Sequence, residues 1–536
     1  MFRGDRNGGW EVVLTSDRGS FSEYSRSNAL GYFACMPSRL VPRFFMDYLF
    51  NPPLTALPSG EARLAPYALR KVEAALLTSG ITSVAVVPPE ELARAITPRT
   101  RILGITAHDP FGLSPVSTKL TMLFGGGPAW NATYFEELGD QIRQIRTHQR
   151  LAVIAGGPGI WQMTYQRPDW IDTVFHGEAE IDFPILARSI LSGAPPPATV
   201  KGRSAVLAEI PTIVKPARLG EVQVTRGCPR GCEFCSITPE RYRTFPLESI
   251  LAEVRLNVAA GEQSVELLTD DILLYGASKL HPNHDAVVRL FQEVRKLASG
   301  QILFPHVSAP AVREAPKTMR EIGDIAGYHD DPGESPVVGL ETGSVRVFAK
   351  YMPAKSFPWK PADWPATILE ATQILNDSGI WPCYTMTIGF PDETDADVDD
   401  SIDLVQSIID HGLKCWIFPL PVIPISSSRL RGNRFPELER LPSRYWDLLY
   451  IAWQRDLKIA RELQPVFTSR MRNPIARRIM EVLTERTTQS VDRIFRELQA
   501  TRGHKSYDFT PYHFDTTLGA MKSVYVLTRS ALVGVT

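Results

Sequence analysis

The chain has 536 residues, 44% of them hydrophobic and 22% charged, which is the make-up of an ordinary soluble globular protein of two or three domains. Its net charge of −1 gives no reason to expect a nucleic-acid partner. The stretch from Met1 to Trp10 lacks the apolar core of a secretory signal, and no run reaches the ~18 apolar residues of a membrane span, so the expected compartment is the cytoplasm.

In chain order, residues 1–60 read as an N-terminal extension with a strand at Val12–Leu14 and a break at Asn51-Pro52-Pro53. Over 61–200, strands and helices alternate. A helix is expected at Arg70–Thr78 and strands at Ser83–Val87 and Arg101–Ile105. A helix at Phe135–His148, strands at Leu151–Ala155 and Thr173–Phe175, and a helix at Ile181–Leu191 follow. Apolar strands alternating with helices predict an α/β, doubly wound, Rossmann-like parallel sheet. Ligands on such sheets bind outside the carboxyl ends of the strands, where Gly156 and Gly157 lie and permit close backbone approach. A plain turn between elements explains a Gly-Gly-Pro equally well.

Residues 193–218, rich in proline, read as a linker. Over 215–430, strands are expected at Val222–Val224, Val265–Leu268, Ile302–Phe304, Val337–Leu340, Tyr384–Ile388 and Cys415–Phe418, with helices between. Six such units suit a partial, TIM-like (β/α)6 barrel, with its site at the carboxyl ends of the strands. Residues 431–536 read as a helical C-terminal domain, in which Arg470, Arg472, Arg477 and Arg478 fit a solvated helix face.

The first barrel strand delivers Thr225-Arg226-Gly227-Cys228-Pro229-Arg230-Gly231-Cys232-Glu233-Phe234-Cys235-Ser236, which holds three of the six cysteines at C-x3-C-x2-C spacing. Three thiolates this close can converge on one iron–sulfur cluster, and with no fourth local ligand one iron keeps an open site. The alternative, a structural zinc site, wants a fourth Cys or His at suitable spacing, and no His lies near the loop. Cys35, Cys383 and Cys415 are scattered and form no disulfide framework; they are too few for a second all-cysteine cluster unless they meet in space.

The cysteine motif, with an aromatic residue before its last cysteine, resembles the radical S-adenosylmethionine (SAM) superfamily. The resemblance implies a [4Fe–4S] cluster on Cys228, Cys232 and Cys235, whose open iron chelates SAM and cleaves it to a 5′-deoxyadenosyl radical. It places Phe234 against adenine. It makes Asp270 and Asp271, after the second strand, candidates for the SAM amino group, with a pair of helix N-caps as the equal alternative. Gly339-Leu340-Glu341-Thr342-Gly343-Ser344 resembles a Gly-x-Glu-(Ser/Thr)-Gly-Ser element of the same family, making Glu341 and Ser344 SAM contacts. Thr387-Ile388-Gly389-Phe390-Pro391 is similar to the family's element near adenine, and Thr394 with Asp397 reads as a capping box.

The segments around Leu103–Thr106, Ile154–Pro158 and Phe175–Glu180 resemble the cobalamin-binding domain that precedes the catalytic domain in one radical SAM class, whose strand-end loops cradle the corrin ring. The chain departs from that class at Ala179, where glycine is usual, and in the loop His108-Asp109-Pro110-Phe111-Gly112-Leu113. It lacks the Asp-x-His-x-x-Gly pattern that supplies a lower histidine ligand in other cobalamin proteins, and His108 reads as an exposed loop residue. Together the resemblances imply a cobalamin-dependent methyltransferase acting on an unactivated carbon of a peptide, lipid or small molecule, reduced by an external donor such as flavodoxin or ferredoxin. A cyclase, C–C coupling or rearrangement enzyme would use the same parts, and an iron–sulfur sensor or electron carrier would need only the cluster.

Overall fold

The computed structural model describes residues 9–26, 28–124, 127–237, 241–329, 335–425, 427–434, 436–437, 441–469 and 474–503. Six parallel strands form the first sheet: β1 (Val12–Ser16), β2 (Val84–Val86), β3 (Ile102–Thr106), β4 (Ala152–Gly156), β5 (Thr173–His176) and β6 (Thr199–Lys201), in the spatial order β2-β1-β3-β4-β5-β6. β1 and β2 are buried along their whole length, as expected of strands covered by helices on both faces. The helices Tyr67–Thr78, Trp130–Arg146 and Asp182–Leu191 supply that cover. The order reverses between β1 and β3, which is the topological switch point where such sheets open a crevice.

Two features differ from the sequence expectation. β1 lies inside the sheet, between β2 and β3, so a boundary at residue 60 would cut the sheet. β6 comes from the stretch read as a linker; it is an edge strand with little burial, so it carries no apolar pattern to announce it.

The second half is a partial barrel. β7 (Glu221–Gln223) is followed by a two-stranded hairpin, β8 (Thr225–Arg226) and β9 (Arg243–Thr244), which closes the base of the cysteine loop. β10 (Val265–Leu268) pairs in parallel with β7 and with β11 (Ile302–Leu303). β12 (Val337–Glu341), β13 (Cys383–Ile388) and β14 (Trp416–Pro421) form the other half, joined to the first by the parallel bridge His306–Val337. The free edge of β14 packs against the long helix Tyr445–Ser469, where Asp456 Oδ1 accepts the Ile417 N–H at 2.8 Å and so satisfies an edge donor. A second long helix, Pro474–Thr501, packs on the first, while Arg470 and Arg472 lie outside the described residues.

A buried polar network docks the two halves. Tyr67 N–H and Tyr67 Oη donate to Glu221 (2.9 Å) and Glu253 (2.8 Å), and Lys71 Nζ pairs with Glu253 at 2.7 Å. Arg70, fully buried, binds Glu73 and the Pro216 carbonyl. A buried network of this kind is weak evidence for added stability, but every partner it holds fixes one relative placement of the sheets.

Candidate functional site

The cysteine loop leaves β8 at the carboxyl end of the barrel strands. Gly227 and Gly231 take φ of +83° and +72°, a backbone that wraps tightly and that other residues adopt at a cost. Cys228 and Cys235 are half-buried and Cys232 is buried, and none of the six cysteines is in a disulfide. The three thiols share one electrostatic environment. Burial pushes Cys232 up to about 12; the Lys355 ammonium pulls it down, and Glu341, Cys235 and Cys228 push it further up. Burial raises Cys228 as well. Such thiols become ligands only when a cation stabilises their thiolates. Among the described residues no three His, Cys, Asp or Glu side chains converge at the spacing of a single-ion site. A multi-iron cluster that takes one thiolate per iron stands its ligands further apart, and a loop of three neighbouring thiols over a basic side chain fits that donor set.

Two carboxylates hold the loop. Burial raises the Asp270 carboxyl, while His306 and the Gly227 backbone act against the rise. Asp271 is 3% exposed and binds Arg230 Nη2 at 3.3 Å and the Ser308 hydroxyl. Arg230, which lies between the first two cysteines, also donates to Ser308 Oγ (2.7 Å) and the Lys355 carbonyl (2.9 Å). Asp271 makes no capping bond to the helical turn that follows it, so the N-cap alternative does not apply to it. Asp271 Oδ1 and Arg230 Nε are buried without a protein hydrogen-bond partner.

Glu341 closes β12 in the left-handed region, φ +66°, where the register with β13 shifts. A glutamate in that conformation costs of order 1–3 kcal/mol and persists where its surroundings over-determine it. Its carboxylate pairs with Lys355 Nζ and accepts from Thr387 Oγ1 at 2.8 Å. A Cβ on residue 339 would lie 2.0 Å from Glu341 Oε1 and 2.2 Å from Lys355 Nζ, so Gly339 makes room for the pair. Burial pushes the Lys355 ammonium down, but Glu341 beside it, with Cys232, holds it above the usual range.

Ser344 is fully buried and already occupied. Its hydroxyl caps the helix Val345–Tyr351 and donates to Asp397 Oδ1 at 2.6 Å. Asp397 in turn closes the capping box with Thr394. Phe234 lies edge-on to Phe390, centroids 5.9 Å apart, and Phe390 stacks on Tyr351 at 4.7 Å. Gly389 N–H donates to Glu393, whose carboxyl burial pushes up to about 7.

The carboxyl ends of β1, β3, β4 and β5 face β7 and β10 across a cavity of about 470 Å3, within the range of small-molecule and cofactor sites. Gly104, Gly156, Gly157 and Gly177 line one wall; Glu221, Gln223, Arg226 and Leu268 line the other. Gly157 has φ +100°, and a Cβ there would strike Thr106 Oγ1 at 2.5 Å, whereas one on Gly156 would meet only ordinary contacts. His108 is exposed and lines the same cavity. The next residue explains the unusual loop: Asp109 is 2% exposed and accepts from Ser114, Ser117, Gln162 and Asn131. Glu178 grips Arg226 (3.0 Å) and Arg243, and Glu180 binds Arg226 at 2.7 Å, so the Gly-Glu-Ala-Glu turn anchors the hairpin at the base of the cysteine loop. Burial opposes the charge on Glu178, but the two arginines hold it below the usual carboxylate range.

Sequence reasoning missed Lys355, Arg230 and the Glu178–Arg243 pair. Arg230 carried a signal, as the charged residue between the first two cysteines; Lys355 had none, because its partner is reached only through the fold.

A parallel half-barrel with a three-cysteine loop at its carboxyl mouth is the architecture of a radical SAM domain. Residues 222–405, the barrel and its cysteine loop, match the family model described as the Radical SAM superfamily. Among curated proteins, the ribosomal protein uS12 methylthiotransferase RimO of Prosthecochloris aestuarii is 24% identical over 313 residues, 56% of this chain and 62% of that one. RimO of Chlorobium phaeovibrioides is 31% identical over 215 residues, 39% of this chain and 45% of its own. The chain thus spans less than two thirds of these relatives' length. A solved structure of the radical S-adenosylmethionine methyltransferase TsrM from Kitasatospora setae, with tryptophan substrate and a SAM analogue bound, superposes with a TM-score of 0.50 at 14% identity, covering 78% of this chain and 75% of that one. The likeness is one of fold, and its extent reaches beyond the barrel into the first sheet.

Proposed function

We propose that the protein is a radical SAM enzyme that also binds cobalamin and transfers a methyl group to an unactivated carbon. The observation that carries the reading is the cavity between the carboxyl ends of the first sheet and the barrel strands that lead into the cysteine loop. When bound, the cluster and SAM supply a deoxyadenosyl radical and cobalamin supplies a methyl carrier. The chain's own residues bind and orient. Cys228, Cys232 and Cys235 offer thiolates to three irons, and the Lys355 ammonium lowers the cost of negative charge on Cys232 and Cys228. Arg230 and Asp271, with Asp270 beside Gly227, fix the loop that presents them. Glu341, held by Lys355 and Thr387 in a strained backbone, is aimed for a cationic or hydroxyl group of SAM. Phe234 and Phe390 give adenine an apolar wall, and Gly156 with Gly157 leaves the sheet end flat enough for a macrocycle. The reading is tested by anaerobic reconstitution with SAM and cobalamin in cell extract. Mass spectrometry should find one compound gaining a methyl group together with deoxyadenosine; deoxyadenosine with a coupled or rearranged product would refute methyl transfer.

A further inference from the structure

One face of β13 and β14 is not fully buried. In a closed (β/α)8 barrel the inward side chains pack into a solid core. Here the inward side chains of β13 (Cys383, Thr385, Thr387) and β14 (Trp416, Phe418, Leu420) are half-buried or exposed, while the outward ones between them are buried against the helices. Parallel pairing sets Phe418 beside Thr385 and Leu420 beside Thr387, and Thr387 hydrogen-bonds Glu341. A half-buried strip of side chains therefore runs from Cys383 to the buried Glu341–Lys355 pair, with Phe418, 39% exposed, in its middle.

Lys119 reaches this strip from the other half of the molecule. It lies on the helix Pro115–Leu123, which packs against β14, and its Nζ sits 5.4 Å from the centre of the Phe418 ring. The residue is 8% exposed, and among the described residues its ammonium makes no hydrogen bond or ion pair. Asp456 and Cys383 are its charged or titratable neighbours, but Asp456 spends Oδ1 on the Ile417 N–H. Burial pushes the Lys119 ammonium down to about 8 and the Asp456 carboxyl up to about 8, and no carboxylate is hydrogen-bonded to the lysine. A buried ammonium left in that state is costly unless an anion arrives to pair with it.

We propose that Lys119 and Phe418 form a substrate subsite in the barrel lumen that takes an anionic oxygen group, a carboxylate or a phosphate, carried on an apolar or aromatic body. The anion pairs with the Lys119 ammonium, the body lies along Phe418 and Thr385, and the strip leads its far end toward Glu341. As a substrate site it rests on the radical SAM reading; as a binding site it does not.

The test is equilibrium dialysis of labelled phenylacetate, phenyl phosphate and uncharged 2-phenylethanol against the full-length, anaerobically reconstituted protein. At least one anion should bind more tightly than the alcohol, and which one binds distinguishes carboxylate from phosphate. Lys119→Met should weaken that anion about tenfold or more, as loss of a charge-assisted hydrogen bond requires, and leave the alcohol unaffected. Lys119→Arg keeps the charge and should keep the preference, which separates a lost cation from a damaged fold. Equal binding of the anion to Lys119→Met and the native chain, or no preference for either anion over the alcohol, overturns the proposal. The dialysis needs no SAM cleavage, so its failure leaves the radical reading standing. A missing cluster absorbance would damage that reading without touching this one.

Discussion

Glu341→Gln separates a SAM contact from a structural pair. Glu341 is 5% exposed and pairs with Lys355, which is 8% exposed, so the substitution has two consequences. If the carboxylate binds SAM, a charge-assisted hydrogen bond of about 1.5–3 kcal/mol is lost, and SAM affinity falls roughly tenfold to a hundredfold. The substitution also leaves the Lys355 ammonium without its carboxylate, and breaking a buried pair from one side costs about 3–5 kcal/mol of stability. The double variant Glu341→Gln, Lys355→Met removes the orphaned charge and should recover much of that stability without recovering SAM affinity. Equilibrium dialysis of SAM against the reconstituted variants, with thermal melts and the cluster spectrum in parallel, reads both effects. Unchanged SAM affinity in Glu341→Gln, with the melt lowered, would return Glu341 to the role of a strand-end residue and refute the reasoning.

Three further outcomes are expected. Gly156→Phe should abolish retention of cobalamin by the anaerobically purified protein while sparing the cluster, because its side chain enters the cavity free of backbone clash; Gly157 is a poor test, since any side chain there strikes Thr106. Asp271→Asn should lower iron content after reconstitution, because it loosens Arg230 and with it the loop between Cys228 and Cys232; full iron loading would refute the positioning role. Glu393 is held up to about 7 when folded against an ordinary 4.5, so the folded state binds its proton more tightly and stability falls as pH rises from about 4.5 to about 7. The loss is at most about 3 kcal/mol, and Glu393→Gln should flatten that part of the stability profile in denaturant titrations.

The cysteine loop, the barrel strands and most of the first sheet were legible because each is a local pattern: a ligand spacing, a short apolar run, or apolar residues alternating along a strand. β6 was not, because an exposed edge strand needs no apolar pattern. β1 was legible as a strand but not as part of the sheet, since its partners β2 and β3 lie some 70 to 90 residues on and only the fold brings them together. The site residues divide in the same way. Glu341 announced itself through glycine-flanked strand-end residues, and the structure adds its strained backbone and its partner. Asp271 and Ser344 were legible as polar residues at strand ends, but their partners Arg230 and Asp397 come from other turns of the barrel, and these decide what each side chain does. Lys119 was invisible because nothing local distinguishes one helix lysine from another until the helix is laid against β14.

The central claim is that Cys228, Cys232 and Cys235 hold the cluster that cleaves SAM. The direct measurement is the visible absorbance and deoxyadenosine yield of the anaerobically reconstituted variant in which all three are alanine. The account predicts that both vanish while far-ultraviolet circular dichroism keeps its native form, because the ligands sit on a loop outside the strands. Reductive cleavage of SAM by that variant would contradict it.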